Sequence, residues 1–125
     1  MYELMIKTDF SAAHQLRNYK GKCENLHGHN WKIEVYLSSD KLNDIGLVVD
    51  FGDIKSMVNT VLDEVDHKNL NDLPVFQEQN PSSENIAKWI YTSLEKRLIN
   101  SLSKDIKLTK VTVWESDTAC ASYII

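Results

Sequence analysis

The chain has 125 residues, of which 42% are hydrophobic and 26% charged, as expected for one globular domain with a substantial core. Its formal net charge of -4 gives no indication of nucleic-acid binding, and no apolar run is long enough to span a bilayer. The segment MYELMIKTDF alternates and carries charges, unlike a signal peptide. We therefore expect a cytoplasmic protein in which Cys23 and Cys120 are free thiols, Cys120 being a small packed residue.

Two segments with alternating polarity predict a pair of antiparallel strands joined by a long polar loop. The first, residues 2–14, has an apolar face that ends at His14. The second, residues 27–37, places His27 and His29 on the same face as its apolar side chains. The apolar members of these two faces are Tyr2, Leu4, Ile6, Phe10, Ala12, Trp31, Ile33, Val35 and Leu37.

The middle of the chain predicts two helices. After a turn near residues 39–46, the segment VVDF (48–51) is typical of a short edge strand. Apolar residues then recur at helical spacing from Ile54 to Val65, which indicates an amphipathic helix. A second helix is predicted after Pro81, with a serine as its N-terminal cap and a glutamate in its first turn.

Two more strands are predicted near the C-terminus, over residues 107–115 and 119–125. The order of elements is therefore β-β-α-α-β-β. This order predicts an α+β domain, comprising residues 1–125, with an antiparallel sheet.

The three histidines of the first two strands predict a metal site. His27 and His29 lie two residues apart on a strand and so point to the same side. His14 has the parity of the same inner face, and a hairpin would place it beside His27. Three neutral imidazoles and one open position are typical of catalytic Zn²⁺, with ligand distances of about 2.0–2.1 Å. The alternative is a set of hydrogen-bonded histidines with no metal.

Four other residues are candidates for chemistry. Cys23 precedes His27 in the loop and could lie over the metal without binding it; a nearby cation favours the thiolate, and the alternative is an inert loop thiol. Asp66 could orient His67 and raise its basicity, or His67 could simply interact with the dipole at a helix end. Glu115 interrupts an apolar strand face, so it should point inward to an arginine or to a ligand with a guanidine-like edge, unless it reaches water.

Basic residues of the Cys23 loop form a weaker candidate site. Arg17, Lys20 and Lys22 could contact an anionic substrate, or they could be ordinary solvated side chains. No GxGxxG, GxxxxGK[ST], HExxH or GxSxG motif occurs in the chain, so the sequence contains no competing signature for nucleotide, protease or hydrolase chemistry.

The chain resembles the 6-pyruvoyltetrahydropterin synthase and 6-carboxytetrahydropterin synthase family over almost its whole length. The motifs that carry the resemblance are FSAAH (10–14), CENLHGH (23–29), VVDFGDIK (48–55), DHKNLND (66–72), NPSSENIAKWI (80–90) and VTVWESDTACASY (111–123). The compact length and DFGDIK are most similar to the bacterial 6-carboxytetrahydropterin synthases of queuosine (7-deazaguanine) biosynthesis.

The resemblance implies a tunnelling fold, in which a four-stranded antiparallel sheet carries two helices on one face. Subunits of this family join their sheets into a barrel. They are commonly hexamers of two stacked trimers, with active sites at subunit contacts. We therefore expect a homo-oligomer that acts on a small molecule, with no nucleic-acid or membrane partner.

The same resemblance implies a zinc enzyme acting on a pterin. Zn²⁺ would bind His14, His27 and His29. The implied substrate is 7,8-dihydroneopterin triphosphate, and the implied products are 6-carboxy-5,6,7,8-tetrahydropterin, acetaldehyde and triphosphate.

Further roles are carried over to matching positions of this chain. Cys23 matches the catalytic thiol of the family, and Asp66 and His67 match its relay pair. Glu115 matches the carboxylate that binds the 2-amino and ring N–H edge of the pterin. This role supplies the partner that an inward glutamate requires.

Because of Glu24, the sequence does not decide to which branch of the family the chain is most similar. It gives the motif CExxHGH, whereas a related branch has a glutamate in place of the cysteine and forms 6-hydroxymethyl-dihydropterin for folate. A chain with Cys23 and Glu24 could carry out some of each reaction, or Glu24 could be an ordinary loop residue. The other functions considered are the pyruvoyl synthase reaction on the same substrate and a non-catalytic zinc- or pterin-binding module.

Overall fold

The computed structural model describes the backbone of residues 1–125 and all side chains except those of Ile99 and Asn100. Within this description, one sheet and two helices make up the domain. The strands are β1 (Tyr2–His14), β2 (His27–Ser39), β3 (Lys68–Asn69), β4 (Lys107–Ser116) and β5 (Ala119–Ile124). The helices are α1 (Phe51–Leu62) and α2 (Ser83–Ser101), and two short 3-10 turns lie between β3 and α2.

The strands lie in the order β3-β1-β2-β4-β5. β1 and β2 pair antiparallel along their full length, from Tyr2 opposite Ser39 to His14 opposite His27. β4 pairs antiparallel with β2, and β5 with β4. The predicted α+β class is confirmed. The predicted four-stranded, wholly antiparallel sheet is wrong in one respect, because β3 adds a fifth strand parallel to β1. Two residues are too few to show the alternation by which strands are predicted.

The hydrophobic core lies between one face of the sheet and both helices. Trp31 and Val35 of β2 are buried on that face, as the alternation predicts. Val58 of α1 and Ile90 of α2 are buried opposite them. The apolar face of β1 ends inside this layer at His14, which is 2% exposed. The metal-site candidates therefore lie where the core meets the loop end of the sheet.

The start of α1 corrects the prediction of a strand over residues 48–51. Asp50 is the N-terminal cap of the helix, and its Oδ1 accepts a hydrogen bond of 2.7 Å from the amide of Gly52. Phe51 is therefore the first helical residue. The helix also ends earlier than predicted, at Leu62, although Val65 remains buried at 1% exposure in the turn that follows.

The predicted start of α2 is confirmed. Ser82 is the cap, and its hydroxyl accepts a hydrogen bond from the amide of Asn85, with Glu84 in the first turn. The prediction for Cys120 is wrong, because its thiol is exposed on β5 and not packed. Across the described residues, neither helix has the length and apolar character required to cross a membrane.

Candidate metal centre and active site

Three imidazole rings meet on the inner face at the loop end of β1 and β2. His14 and His27 are register partners, and His29 follows two positions along β2 on the same side. The centroids of the His14 and His27 rings are 4.7 Å apart, and those of the His27 and His29 rings are 4.8 Å apart. The structure thus brings together the three histidines that strand parity predicts to converge.

Backbone carbonyls orient two of these rings. Nδ1 of His14 lies 2.7 Å from the carbonyl oxygen of Pro81, and Nδ1 of His27 lies 2.7 Å from that of Asn25. Because a carbonyl oxygen can only accept, each Nδ1 carries a proton, and in the neutral imidazole each Nε2 then keeps its lone pair. Metal-binding histidines are commonly held in this way. A backbone carbonyl leaves no signature in a sequence, so these two contacts could not be predicted.

The Nε2 atoms of His14 and His29 are buried and make no hydrogen bond of good geometry within the described structure, although the Glu115 carboxylate lies beside both. An unpaired buried polar atom costs free energy, so two such atoms in one place indicate an expected partner. Burial is the main cause that lowers the pKa of His29, and the neighbouring histidines lower it further against the opposing effect of Glu115. His29 is therefore neutral at neutral pH, which is the form that binds a divalent metal ion.

Glu115 completes a group of four donor atoms, all within 4.8 Å of one another. Its Oε1 lies 3.2 Å from Nε2 of His14 and 3.1 Å from Nε2 of His29. The predicted inward orientation is found, but the side chain lies against the histidines and remains 38% exposed. Three imidazole nitrogens and a carboxylate form a donor set that fits Zn²⁺ and other divalent ions.

Asp66 and His67 form a separate pair beside β1. Oδ1 of Asp66 accepts a hydrogen bond of 2.9 Å from the amide of Ser11, and this bond is the main cause that lowers the pKa of the carboxyl group. Its Oδ2 lies 3.0 Å from Nδ1 of His67. The ionised carboxylate thus orients the imidazole through Nδ1, so that Nε2 points away from Asp66. Because α1 ends at Leu62, the alternative of a histidine at a helix end is wrong.

His67 is held in an unusual conformation. Its φ of 58° lies in the left-handed region that non-glycine residues seldom adopt, and its amide donates to the carbonyl of Ser11. The side chain is 81% exposed. Strain of this kind persists where the surroundings enforce it and is frequent at functional sites.

Cys23 and Glu24 lie in the loop between β1 and β2. The thiol of Cys23 is exposed and lies outside the four-residue donor group, and its predicted role near the metal without binding it stays a prediction. Oε1 of Glu24 accepts a hydrogen bond of 3.1 Å from the amide of Leu16, and the Glu24 amide donates to the Leu16 carbonyl. Among the described residues, no hydrogen bond or ion pair joins Cys23 or His67 to the three clustered histidines.

The guanidinium of Arg17, predicted to contact an anionic substrate, is bound to backbone carbonyls of the protein. The guanidinium donates to the carbonyls of Phe76 and Gln79, and the Arg17 amide donates to Oδ1 of Asn80 at 2.8 Å. These bonds attach the Cys23 loop to the segment just before Pro81, whose carbonyl orients His14. Arg17 therefore has a structural role. Its neighbour Lys20 is exposed in the loop with its Nζ 5.4 Å from the ring centroid of Tyr19, so a substrate contact by Lys20 stays a prediction.

We expect Arg17→Ala to lower the free energy of unfolding by about 1–3 kcal/mol, because it leaves two loop carbonyls without their donor. Chemical denaturation measures this loss. The matched control is Lys20→Ala, which removes an exposed charge from the same loop and should change stability by less than about 0.5 kcal/mol. Unchanged stability of Arg17→Ala combined with a raised KM would restore the substrate role.

The chain is similar in sequence to known proteins over most of its length. Residues 3–124 match the family model described as 6-pyruvoyl tetrahydropterin synthase. A 6-carboxy-5,6,7,8-tetrahydropterin synthase from Synechocystis sp. is 35% identical to this chain. The alignment covers 98% of this chain and 93% of the relative. A dihydroneopterin monophosphate aldolase from Pyrococcus furiosus is 34% identical, with coverage of 91% and 90%.

Comparison of structures gives the same result. The 6-pyruvoyl tetrahydropterin synthase of Caenorhabditis elegans superposes with a TM-score of 0.82 and 31% identity, over 98% of this chain and 94% of that one. The resemblance predicted from the sequence motifs is thus confirmed by alignments that extend over both chains. The chain belongs to the 6-pyruvoyl tetrahydropterin synthase family.

Proposed function

We propose that this protein is a 6-carboxy-5,6,7,8-tetrahydropterin synthase of queuosine biosynthesis. With the consumption of one water molecule, it would convert 7,8-dihydroneopterin triphosphate into 6-carboxy-5,6,7,8-tetrahydropterin, acetaldehyde and triphosphate. The observation that carries the proposal is the cluster of three imidazoles, two of which, His14 and His29, have buried Nε2 atoms without a hydrogen bond. Similarity over nearly the whole chain to the Synechocystis protein of that name supports the choice of reaction.

We assign the metal as Zn²⁺ and its ligands as His14, His27 and His29. Neutral imidazole nitrogens on a rigid strand pair are suited to this ion. When bound, the ion would act as a Lewis acid that acidifies hydroxyl groups of the substrate side chain and stabilises negative charge as a carbon–carbon bond breaks. The carbonyls of Pro81 and Asn25 support the assignment, because they keep two of the Nε2 lone pairs free.

The proton transfers are assigned to residues at the surface of the subunit. The thiolate of Cys23 would take a proton from the substrate side chain, and its exposure leaves it accessible. His67, oriented by Asp66, would move protons on the opposite side of the substrate. Glu115 would accept the N–H groups of the 2-amino and ring edge of the pterin, and its partial exposure allows it to reach a ligand.

We further propose that the active site is completed by other copies of the chain, in a homohexamer of two trimers. Two observations support this assembly. Cys23 and His67 are exposed and do not contact the histidine cluster within one subunit. The sheet also has two available edges, since β5 pairs only with β4, and residues 2–10 of β1 pair only with β2, among the described strands. The cytoplasmic location expected from the sequence stays a prediction.

A product assay tests the reaction. Zinc-loaded protein is incubated with 7,8-dihydroneopterin triphosphate, and the pterin and aldehyde products are identified by mass spectrometry. We expect 6-carboxy-5,6,7,8-tetrahydropterin and acetaldehyde in equal amounts. Formation of 6-pyruvoyl-tetrahydropterin without acetaldehyde would identify the pyruvoyl synthase instead. Bound pterin with no turnover would favour a binding module.

The alternative function is formation of 6-hydroxymethyl-dihydropterin, and two observations bear on it. The Pyrococcus relative named as a dihydroneopterin monophosphate aldolase is nearly as similar as the Synechocystis protein. Glu24, the residue that suggests this branch, has its carboxylate bound to the Leu16 amide, which favours a loop-shaping role. In the product assay, a 6-hydroxymethyl pterin that disappears in Glu24→Gln but persists in Cys23→Ala would establish the alternative.

A further inference from the structure

The loop after β1 begins with three residues, 15–17, whose backbone groups are all hydrogen-bonded although they lie beyond the end of the strand. The Gln15 amide donates to Oδ1 of Asn71 at 2.8 Å, and Nδ2 of Asn71 donates back to the Gln15 carbonyl at 2.9 Å. Arg17 and Asn80 make the same exchange, at 2.8 Å and 3.0 Å. Paired residues on adjacent antiparallel strands exchange hydrogen bonds in this way. Each asparagine side chain therefore takes the place of a neighbouring strand.

Leu16, which lies between these two residues, is hydrogen-bonded to Glu24 instead. The Leu16 amide donates to Oε1 of Glu24 at 3.1 Å, and the Glu24 amide donates to the Leu16 carbonyl at 2.9 Å. In an extended chain, the backbone groups of successive residues point to opposite edges. The alternation of partners from residue 15 to residue 17 is therefore that of an extended segment that continues β1. The Glu24 carboxylate supplies the acceptor that a strand residue would supply with its carbonyl.

Both asparagines are themselves fixed through their backbones. The Asn71 amide donates to Oδ1 of Asn69 in β3 at 3.1 Å, and Nε2 of Gln77 donates to the Asn71 carbonyl at 2.7 Å. Nδ2 of Asn85 in α2 donates to the Asn80 carbonyl at 2.9 Å. The two side-chain amides are thus held in place from β3 and from the first turn of α2.

The paired hydrogen bonds require an amide side chain at both positions. An asparagine offers one oxygen as an acceptor and one NH₂ group as a donor, whereas an ionised carboxylate can only accept. An aspartate would place a second acceptor against the carbonyl of Gln15 or Arg17. Asn71 and Asn80 lie in the motifs DHKNLND and NPSSENIAKWI, yet neither has a part in the proposed chemistry. Their contacts indicate a role apart from the binding of metal and substrate.

We propose that Asn71 and Asn80 are positioning residues that hold the Cys23 loop in place. Their side chains fix the backbone on either side of Leu16. The Leu16 backbone in turn fixes Glu24, whose amide nitrogen is bonded to the carbonyl carbon of Cys23. The catalytic consequence rests on the proposed function, in which the Cys23 thiolate is the base. A catalytic group has to be held within about 0.5 Å of its productive position, which an exposed loop without such contacts would not provide.

Hydrogen exchange of the backbone amides in the full-length protein tests the positioning without any need for turnover. In Asn71→Ala, the Gln15 amide loses its acceptor directly. The informative amides are those of Leu16 and Glu24, whose own acceptors remain. We expect both to exchange about 10-fold faster, because the segment that carries them is no longer fixed on its other edge. Wild-type exchange of both amides in Asn71→Ala would overturn the proposal.

Asn43→Ala is the matched control for this measurement. The Asn43 side chain also makes two hydrogen bonds to backbone groups, since its Oδ1 accepts from the amides of Ile45 and Leu47. It follows β2 at the end of the strand opposite to His27. We expect faster exchange only around residues 43–47 in this variant. Faster exchange of the Leu16 amide in Asn43→Ala as well would show a general loss of stability and would overturn the assigned role.

Steady-state kinetics test the catalytic consequence. We expect Asn71→Ala to lower kcat by about 10- to 100-fold with little change in KM, because a displaced base affects the chemical step more than substrate binding. Asn43→Ala should keep both parameters. An unchanged kcat in Asn71→Ala would overturn the positioning role. If the wild type itself did not turn over the pterin triphosphate, the proposed function would fail, and hydrogen exchange would still decide whether the asparagines hold the loop.

Glu24 provides a second pair of variants, which decide the question even if Asn71→Ala does not fold. Glu24→Ala removes the acceptor of the Leu16 amide and should lower kcat by about 10-fold or more. Glu24→Gln retains a side-chain oxygen that can accept from Leu16, so it should keep the kcat of the wild type. Equal losses in the two variants would show that the carboxylate takes part in the chemistry and would overturn the positioning role, as would a wild-type kcat in Glu24→Ala.

Discussion

His29→Ala is expected to weaken zinc binding by more than about 100-fold, because loss of a direct ligand should cost more than the 10- to 100-fold caused by loss of a supporting contact. Turnover should fall at least as much, since the Lewis acid would no longer be held. His29 is the suitable ligand to remove, because its side chain is 24% exposed and His14 is buried against Trp31. Competition with a chelator measures the affinity, and the product assay measures turnover.

His67→Ala is the matched control for this prediction. His67 is the remaining histidine of the chain, and it lies outside the donor group with an exposed side chain. We expect this variant to bind zinc within about 2-fold of the wild type and to lose turnover through loss of the relay. Loss of zinc from both variants would contradict the assigned ligand set, and retention of zinc by His29→Ala would remove His29 from it.

Cys23→Ala is expected to lower kcat by about 10²- to 10⁴-fold while zinc remains bound, because a positioned general base contributes about that factor. The thiol is exposed and outside the metal group, so the free energy of unfolding should change by less than about 0.5 kcal/mol. Steady-state kinetics, zinc content and denaturation together separate loss of the base from loss of the metal or of the fold.

The other cysteine of the chain provides the control. Cys120 is also free and exposed, but it lies on β5 and has no proposed part in the chemistry. Cys120→Ala should therefore keep the kcat of the wild type. If Cys23→Ala retained full turnover, the proposed base would be excluded. Equal losses in both variants would indicate an effect that is not specific to the proposed base, because both thiols are exposed.

The sequence by itself determined the parts of this protein that depend on local periodicity. Side chains alternate along a strand, so the positions of His14, His27 and His29 relative to their apolar neighbours were sufficient to predict that the rings converge. The same reasoning predicted the inward orientation of Glu115 and, from helical spacing, the buried faces of α1 and α2.

Only the tertiary structure decided the features that depend on contacts between distant segments. Strand β3 is too short to show a period, and it exists because the chain after α1 lies beside Ala12 and Ala13. The carbonyl that orients His14 belongs to Pro81, and Arg17 binds carbonyls from the same distant segment, so neither partner could be predicted.

The position of Glu115 depends on both strand periodicity and tertiary pairing. Its parity places it on the inner face. The register shift between Trp114 and Ser116 of β4 then affects which group the carboxylate contacts there. A bulge depends on how two strands pair locally, and the alternation of polarity along one strand does not show where a bulge falls. The sequence thus determines which donor groups are present, whereas the packing of the sheet determines the distances between them.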